Sequence, residues 1–264
     1  MKIPLLCHWN GDGDIANAFL EYYSEWVSEF HLILHGAAET NRTILELSRN
    51  FPVTIHSEYE GPFDDVEKRL RLNKLAQMFL GEWLLLVDSD EFVELPYSTI
   101  DETVSRLEEY SCTYLAAPLL QRFRADCSLN SPNVVVDIAN EFPMCSERLY
   151  ELMGSSGSLV KFPLFKCSAA STIFYGNHAP PNELSSSVGD QISGVTHHFK
   201  WRRSVLSRII ARIDERWPFA ATEAVPYLRY LETNDLKLPA TGSFRYSRLG
   251  LFERNLLRRV PNPD

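Results

Sequence analysis

The sequence predicts an α/β fold in which helices cover both faces of a mostly parallel central sheet. Four short apolar stretches near the start of the chain alternate with segments whose apolar residues recur at helical spacing. Strands joined through helices pair in parallel, which predicts this class of sheet. The fourth stretch, Leu84 to Val87, has no polar alternation, as is typical of a strand buried on both faces.

The predicted elements follow in chain order. Strands are expected at 2–9, 30–36, 52–59 and 82–88, and helices at 15–26, from Asn41 to Leu47, and from Asp64 or Asp65 to a stop at Gly81. Further on, the sequence predicts a helix from a capping box at Ser98 and Asp101 to about Tyr110, strands at 113–123 and 159–166, a loop at 176–191, and a helix from Val205 to Pro218.

Size and charge limit the function classes. The chain has 264 residues, 45% of them hydrophobic, and can bury a full core. No apolar run is long enough to cross a bilayer and no secretion signal is evident, so we expect a cytoplasmic protein. The net charge of −9 argues against a general nucleic-acid binder, so no nucleic-acid partner is expected.

The charge is unevenly distributed along the chain. From Lys200 onward, 13 Lys and Arg stand against 7 Asp and Glu. We interpret residues 200–264 as a basic helical extension packed on a domain of residues 1–199. One reading is that its cations contact a phosphate-bearing substrate or the inner face of an anionic membrane, which flotation with anionic vesicles would test. The other is that they only solvate helices and pair with the acidic domain.

Three carboxylates, Asp88, Asp90 and Glu91, follow directly after the apolar strand. In open parallel sheets, ligands bind outside the carboxyl ends of the strands. Two aspartates spaced i and i+2 on a turn can hold Mg²⁺ or Mn²⁺ with positions left open for a diphosphate. The alternative is that these are ordinary solvated turn residues.

The stretch NKLAQMFLGEWLLLVDSDEF resembles the nucleotide-sugar-binding half of family 2-type glycosyltransferases with the GT-A fold. In that family an Asn-led helix, a Gly, an apolar strand and Asp-x-Asp occur in this order. The upstream stretch NGDGDIANAFLEYYSEWVSEFHLIL is similar to its first loop, helix and strand. SLVKFP, GNHAPP and THHFKWRRS look like segments of a bacterial subgroup with Asp-x-Asp-Glu-Phe, so the resemblance covers most of residues 1–205.

The resemblance implies a Rossmann-like GT-A fold with a nucleotide-sugar half at about 1–95 and an acceptor half at about 96–199. It also implies a metal-dependent enzyme, with Mn²⁺ or Mg²⁺, that moves a sugar from a nucleotide-diphosphate donor to a hydroxyl of a glycan, lipid-linked or small-molecule acceptor. The subgroup suggests bacterial surface polysaccharide or glycoconjugate synthesis. The Gln-x-x-Arg-Trp motif of processive synthases is absent, which favours single additions.

The resemblance and the residue chemistry together give the candidate site. The expected donor-binding residues are Asn10, Asp12, Arg71, Asn73, Asp88, Lys200 and Trp201. The expected metal ligands are Asp88, Asp90, His198 and His178, with Asp90 as the principal one. The candidate catalytic bases are Asp137, Glu141 and Glu147, and Glu91 is a candidate base or a partner that orients a metal ligand. For each of these, local packing or a structural ion pair is the alternative reading.

Departures from the family pattern keep other functions open. Gly11 stands where an acidic residue is common, the second strand ends in His35 without an Asp, and Leu72 takes the place of an Arg. One alternative is therefore a degenerate GT-A domain that binds a sugar nucleotide or a protein partner without turnover. Phosphoryl transfer of the haloacid-dehalogenase type needs the acidic motif on the first strand, and here it follows the fourth.

Overall fold

The computed structural model describes residues 1–155, 159–181, 192–215 and 217–245. Ten described strands form one mixed sheet. They are β1 (Ile3–Trp9), β2 (Val27–His35), β3 (Val53–Tyr59), β4 (Trp83–Asp88), β5 (Glu91–Glu94), β6 (Tyr114–Phe123), β7 (Met144–Ser146), β8 (Val160–Lys166), β9 (Val195–His198) and β10 (Phe244–Arg245).

Eight α-helices accompany the strands in the described part of the chain. They are α1 (Ala16–Ser24), α2 (Ala38–Leu47), α3 (Asp65–Ala76), α4 (Ile100–Glu109), α5 (Ile138–Glu141), α6 (Leu149–Leu152), α7 (Val205–Asp214) and α8 (Val225–Thr233). A short π-helix, Ala220–Ala224, leads into α8. No helix among the described residues combines the length and apolarity that a membrane crossing requires.

The sheet order is β10-β7-β6-β8-β4-β1-β2-β3. The four strands from the first part of the chain are parallel, with β1 between β2 and β4. β8 is antiparallel to β4 and β6, and the short β5 and β9 pair on a branch from β6. The predicted α/β class with a largely parallel central sheet flanked by helices is thus confirmed and is consistent with a GT-A or Rossmann-like fold.

The two faces of the central strands bury separate cores. Alternate residues of β4, Leu85 and Val87, join the cluster beneath α1, while Leu84 and Leu86 join the cluster beneath α3. All four side chains are buried. Burying such a side chain stabilises the fold by about 1.5–3 kcal/mol, so β4 is held rigidly from both sides. This confirms the doubly buried strand that the sequence predicts.

Two predicted helix starts need correction, and one is confirmed. Asn41 lies inside α2, where its side-chain amide donates to the Gly36 carbonyl at 3.1 Å, so it is not the N-cap. The cap of α4 is Thr99, whose hydroxyl accepts from the Glu102 amide at 3.0 Å, because Thr99 has the extended backbone that a cap needs. Asp64 caps α3 as predicted.

The second half of the chain departs in smaller ways. The stretch 125–143, which the sequence predicts to be loop-like, contains the short α5. Helix α7 ends at Asp214, before the predicted stop at Pro218. Residues 182–191 of the predicted loop and 246–264 of the predicted basic extension lie outside the described residues.

Candidate functional site

The carboxyl ends of β1 and β4 open into a cleft of about 440 Å³, a volume typical of small-molecule sites. Helix α7 and the π-helix form its opposite wall. The lining includes four of the predicted site residues at the acidic turn and the two histidine segments, namely Asp88, Asp90, His178 and His198. The structure therefore brings together residues that are up to 110 positions apart in the sequence.

Asp88 is held between two lysines. The Lys68 ammonium lies 2.5 Å from one carboxylate oxygen and the Lys161 ammonium 3.6 Å from the other. Lys161 also contacts the Glu91 carboxylate at 2.6 Å. Burial on its own would raise the pKa of Asp88, but the two ammonium groups outweigh it and hold that pKa below its usual range. Asp88 is thus an ionised anchor for two buried cations.

Asp90 faces His198 across the turn. Its carboxylate lies 3.4 Å from Nε2 of His198, and its backbone carbonyl accepts from the Phe199 amide at 2.8 Å. Burial would raise the pKa of Asp90, but His198 and then the guanidinium groups of Arg202 and Arg208 outweigh burial and hold that pKa below its usual range, so Asp90 is ionised at neutral pH. Among the described residues no lysine forms an ion pair with this carboxylate, in contrast to Asp88.

His178 reaches the cleft from the segment after β8. Its Nδ1 lies 2.8 Å from the Val160 carbonyl. Burial, followed by the neighbouring Lys161 ammonium, lowers the pKa of His178 to about 3. The imidazole is therefore neutral across the physiological range.

The residues present fit a divalent cation in one way only. No group of three or more His, Cys, Asp or Glu side chains in the described residues could by itself hold a metal ion. Mg²⁺ is often held by one or two carboxylates together with substrate phosphates. Asp90 suits that arrangement because it is ionised and lines the cleft, whereas both oxygens of Asp88 already face ammonium groups. The donor set fits a cation shared with a bound diphosphate.

The predicted donor residues at the first strand end lie at the cleft. Asn10 lines it and its side-chain oxygen lies 3.2 Å from Nδ1 of His35. Asp12 also lines it but is almost fully buried. Its carboxylate accepts from Arg208 at 2.6 Å and from the Ser89 hydroxyl. Much of its hydrogen-bonding capacity is therefore used within the protein.

Two other predicted donor residues lie away from the cleft lining. The Arg71 guanidinium stacks 4.2 Å from the centre of the Tyr59 ring and pairs with Glu67. The Asn73 side chain exchanges two hydrogen bonds with the backbone of Ile173, at 3.0 and 2.7 Å. Both contacts are ones that hold α3 in place.

Of the two remaining donor candidates, Lys200 lines the cleft, and Trp201 lies behind it. The Lys200 ammonium lies 4.5 Å from the centre of the Tyr227 ring, and burial together with Arg212 lowers the pKa of Lys200 to about 8. Trp201 is fully buried and donates from its indole to Oε1 of Gln121 at 2.9 Å. Trp201 therefore supports the site from the core.

The predicted bases are placed at different depths. Asp137 caps α5 by accepting from the Asn140 amide at 3.0 Å, and Glu147 is exposed. Arg148, the neighbour of Glu147, pairs with Glu151. Glu141 pairs with Arg124. None of Asp137, Glu141 and Glu147 is among the residues that line the cleft, whereas Glu91 is buried beneath it against Lys161.

Several cleft residues were missed from the sequence. Lys68 lies four residues before Leu72, on the buried face of α3, and a charged residue at such a position indicates a buried partner. Lys161 interrupts the apolar β8 in the same way. Glu223 is a cleft carboxylate for which the described residues show no hydrogen bond or ion pair. Its position in a π-helix has no signature that sequence periodicity could reveal.

Comparisons with known proteins are distant. No protein-family model matches the chain, and no curated protein matches it. The solved structure of S. aureus TarS 1-349 in complex with UDP is similar at 15% identity and a TM-score of 0.29 over 52% of this chain, which spans 38% of that structure. Another solved structure of S. aureus TarS 1-349 is similar at 14% identity with a TM-score of 0.35, over 88% of this chain and 72% of that one.

A third solved structure, 4-diphosphocytidyl-2C-methyl-D-erythritol synthase, is similar at 14% identity with a TM-score of 0.31, over 62% of this chain and 75% of that one. Scores at this level carry no argument about function. The chemistry of the cleft is therefore the basis for the proposed function.

Proposed function

We propose that the protein is a glycosyltransferase that moves a sugar from a nucleotide-diphosphate donor to an acceptor hydroxyl, with Mn²⁺ or Mg²⁺ bound at Asp90. The observation that carries the proposal is that one cleft holds an ionised Asp90, which forms no ion pair with a lysine in the described residues, together with three lysines, Lys68, Lys161 and Lys200. Cations around a carboxylate that can share a metal suit a polyanion such as a diphosphate.

Each residue of the cleft has a separate role in the proposed reaction. A divalent cation, when bound, neutralises charge on the leaving diphosphate. Asp90 would hold it, while Asp88 positions the ammonium groups of Lys68 and Lys161 at the donor side of the cleft. Since both lysines are buried, their charges act through a medium of low dielectric and attract a phosphate strongly.

Glu223 is our candidate for the base that takes the acceptor proton. It lies on the cleft wall opposite the acidic turn, its carboxylate makes no hydrogen bond or ion pair in the described residues, and its charge acts on Lys200 by raising the pKa of that ammonium. A base must be within reach of the proton that it removes, and Asp137 and Glu147 do not line the cleft. We propose bacterial surface polysaccharide or glycoconjugate synthesis as the pathway of this enzyme. Only the sequence resemblance supports this pathway.

A nucleotide panel tests the proposal. With UDP or GDP at 100 times its Kd and Mn²⁺ present, binding stabilises the native state by about 2.7 kcal/mol. For a chain of this size that corresponds to a rise in Tm of roughly 5–11 °C. Asp90→Asn should abolish the metal-dependent part of this rise. Asp101→Asn is the matched control, because Asp101 is exposed and pairs with the N-terminal amine.

The outcomes separate the alternatives. If no nucleotide raises the Tm with any divalent metal, the proposed donor class is wrong. If a nucleotide binds but its sugar conjugate is not hydrolysed or transferred, the degenerate binding domain is supported. That alternative has one structural observation in its favour, since Arg71 and Asn73 are engaged in contacts that hold α3.

A further inference from the structure

Among the described residues three histidines line the cleft, and two of them, His178 and His198, have opposite hydrogen-bonding surroundings. A neutral imidazole carries one proton, so one ring nitrogen donates and the other accepts. Which nitrogen has the proton is decided by the fixed groups around the ring. His178 and His198 both line the cleft, and their neighbours impose different answers.

The tautomer of His178 is determined by a backbone carbonyl. The Val160 carbonyl oxygen, 2.8 Å from Nδ1 of His178, can only accept a hydrogen bond, so Nδ1 carries the proton. Nε2 then keeps its lone pair. It lies beside Gly176, where a Cβ would come within 3.1 Å of this nitrogen, and the glycine therefore leaves room around it. His178 thus presents an acceptor to the cleft.

The tautomer of His198 is determined by a chain of hydrogen bonds that starts at an indole. The indole N–H of Trp201 can only donate, and it donates to Oε1 of Gln121 at 2.9 Å. This fixes the orientation of the Gln121 amide, whose Nε2 lies 3.1 Å from Nδ1 of His198. Gln121 and Trp201 are both fully buried, so the amide cannot exchange these partners for water. Nδ1 of His198 is therefore an acceptor.

The proton of His198 consequently sits on Nε2, which lies 3.4 Å from a carboxylate oxygen of Asp90. The Tyr150 hydroxyl, 3.1 Å from Nδ1, agrees with this because a hydroxyl can turn its hydrogen toward the ring. A nitrogen that carries a proton has no lone pair for a metal ion. Metal-bound histidines usually donate their other ring N–H to a carbonyl or carboxylate, which matches His178 and not His198.

We infer that His198 is a positioning residue whose Nε2–H orients the Asp90 carboxylate, and that His178 is the imidazole whose lone pair faces the cleft. Both residues are metal ligands in the prediction from the sequence, and only His178 keeps that role. The consequence for the metal rests on the proposed function, whereas the tautomers do not.

The experiment reads both tautomers directly in the metal-free protein. Two-bond ¹H–¹⁵N correlation spectra at pH 7.5 distinguish protonated from unprotonated ring nitrogens, and His178→Gln and His198→Gln assign the signals. We expect an unprotonated Nδ1 in His198 and an unprotonated Nε2 in His178. Nδ1 protonation of His198, or Nε2 protonation of His178, overturns the inference.

Two further measurements test the positioning role. Asp90→Asn should shift the His198 Nε2–H resonance and leave His178 unchanged, and an unmoved His198 signal contradicts the contact. Gln121→Glu replaces the donor with a second acceptor, so the proton of His198 should move to Nδ1. If the buried carboxylate unfolds the protein, the wild-type spectrum still decides the tautomers.

Titration with Mn²⁺ alone, followed by electron paramagnetic resonance, tests the consequence. His178→Gln should weaken Mn²⁺ binding by about 10-fold or more, and His198→Gln by clearly less. The opposite ranking contradicts the inference. A wild-type protein that binds no Mn²⁺ with or without UDP overturns the metal role in the proposed function, while the spectra decide the tautomers independently.

Discussion

Replacement of Arg202 by methionine removes a fully buried guanidinium from the junction between the N-terminal loop and the C-terminal segment. Arg202 pairs with both Asp12 and Asp14 and donates from Nε to the Phe199 carbonyl at 2.5 Å. Methionine keeps most of the volume of the side chain. The change therefore isolates the loss of charge and hydrogen bonds from a loss of packing.

The expected cost follows from burial. Removing one partner of a buried ion pair typically costs 3–5 kcal/mol, because the other charge is left uncompensated. Asp12 is 1% exposed but keeps Arg208 at 2.6 Å, and Asp14 is 18% exposed. We therefore expect the lower end, about 3 kcal/mol. That corresponds to a fall in Tm of roughly 6–12 °C.

Urea denaturation followed by tryptophan fluorescence measures the change. Arg208→Met is the matched control, because Arg208 contacts the same Asp12 carboxylate but its side chain is 27% exposed. It should cost no more than about 1 kcal/mol. Adding Asp12→Asn and Asp14→Asn to Arg202→Met removes the uncompensated charges and should recover most of the loss.

Two results would refute the reasoning. One is an Arg202→Met protein within about 1 kcal/mol of wild type, below the range for a broken buried pair. The other is a triple variant no more stable than Arg202→Met, which would place the cost in packing and not in charge.

Two more predictions concern a buried histidine and a close backbone approach. Burial lowers the pKa of His8 to about 3, so His8 stays neutral in the native state while the unfolded chain takes up a proton below about pH 6.5. The stability contributed by neutral His8 is thus intact above that pH, and the free energy of unfolding should fall by about 2 kcal/mol between pH 7 and 5. In urea denaturation, His8→Gln should lose about 2 kcal/mol less than wild type over this pH range. A variant with the same pH dependence as wild type contradicts the prediction. Gly194→Ala would place a Cβ 2.7 Å from the Glu94 carbonyl oxygen. This close contact should lower the free energy of unfolding by about 1–3 kcal/mol. A thermal melt that matches wild type would argue against the contact.

The local parts of the fold could be predicted because they depend on near neighbours in the sequence. The run Leu84 to Val87 indicated a strand buried on both faces, and Asp64 indicated a helix start; both are confirmed. The start of α2 was placed wrongly at Asn41, because the side chain bonds backward to a glycine carbonyl where a cap would bond forward. Local polarity does not distinguish the two cases.

The sequence by itself determined the alternation of strands and helices and the placement of Asp88 and Asp90 at a strand end, because periodicity and turn residues act over a few positions. Only the tertiary structure decided which charges meet. Lys68 and Lys161 converge on Asp88 from different elements, and Arg202 reaches Asp12 across 190 positions. Such pairings depend on how the sheet brings distant segments together, and a buried charge must find its partner there because water is excluded.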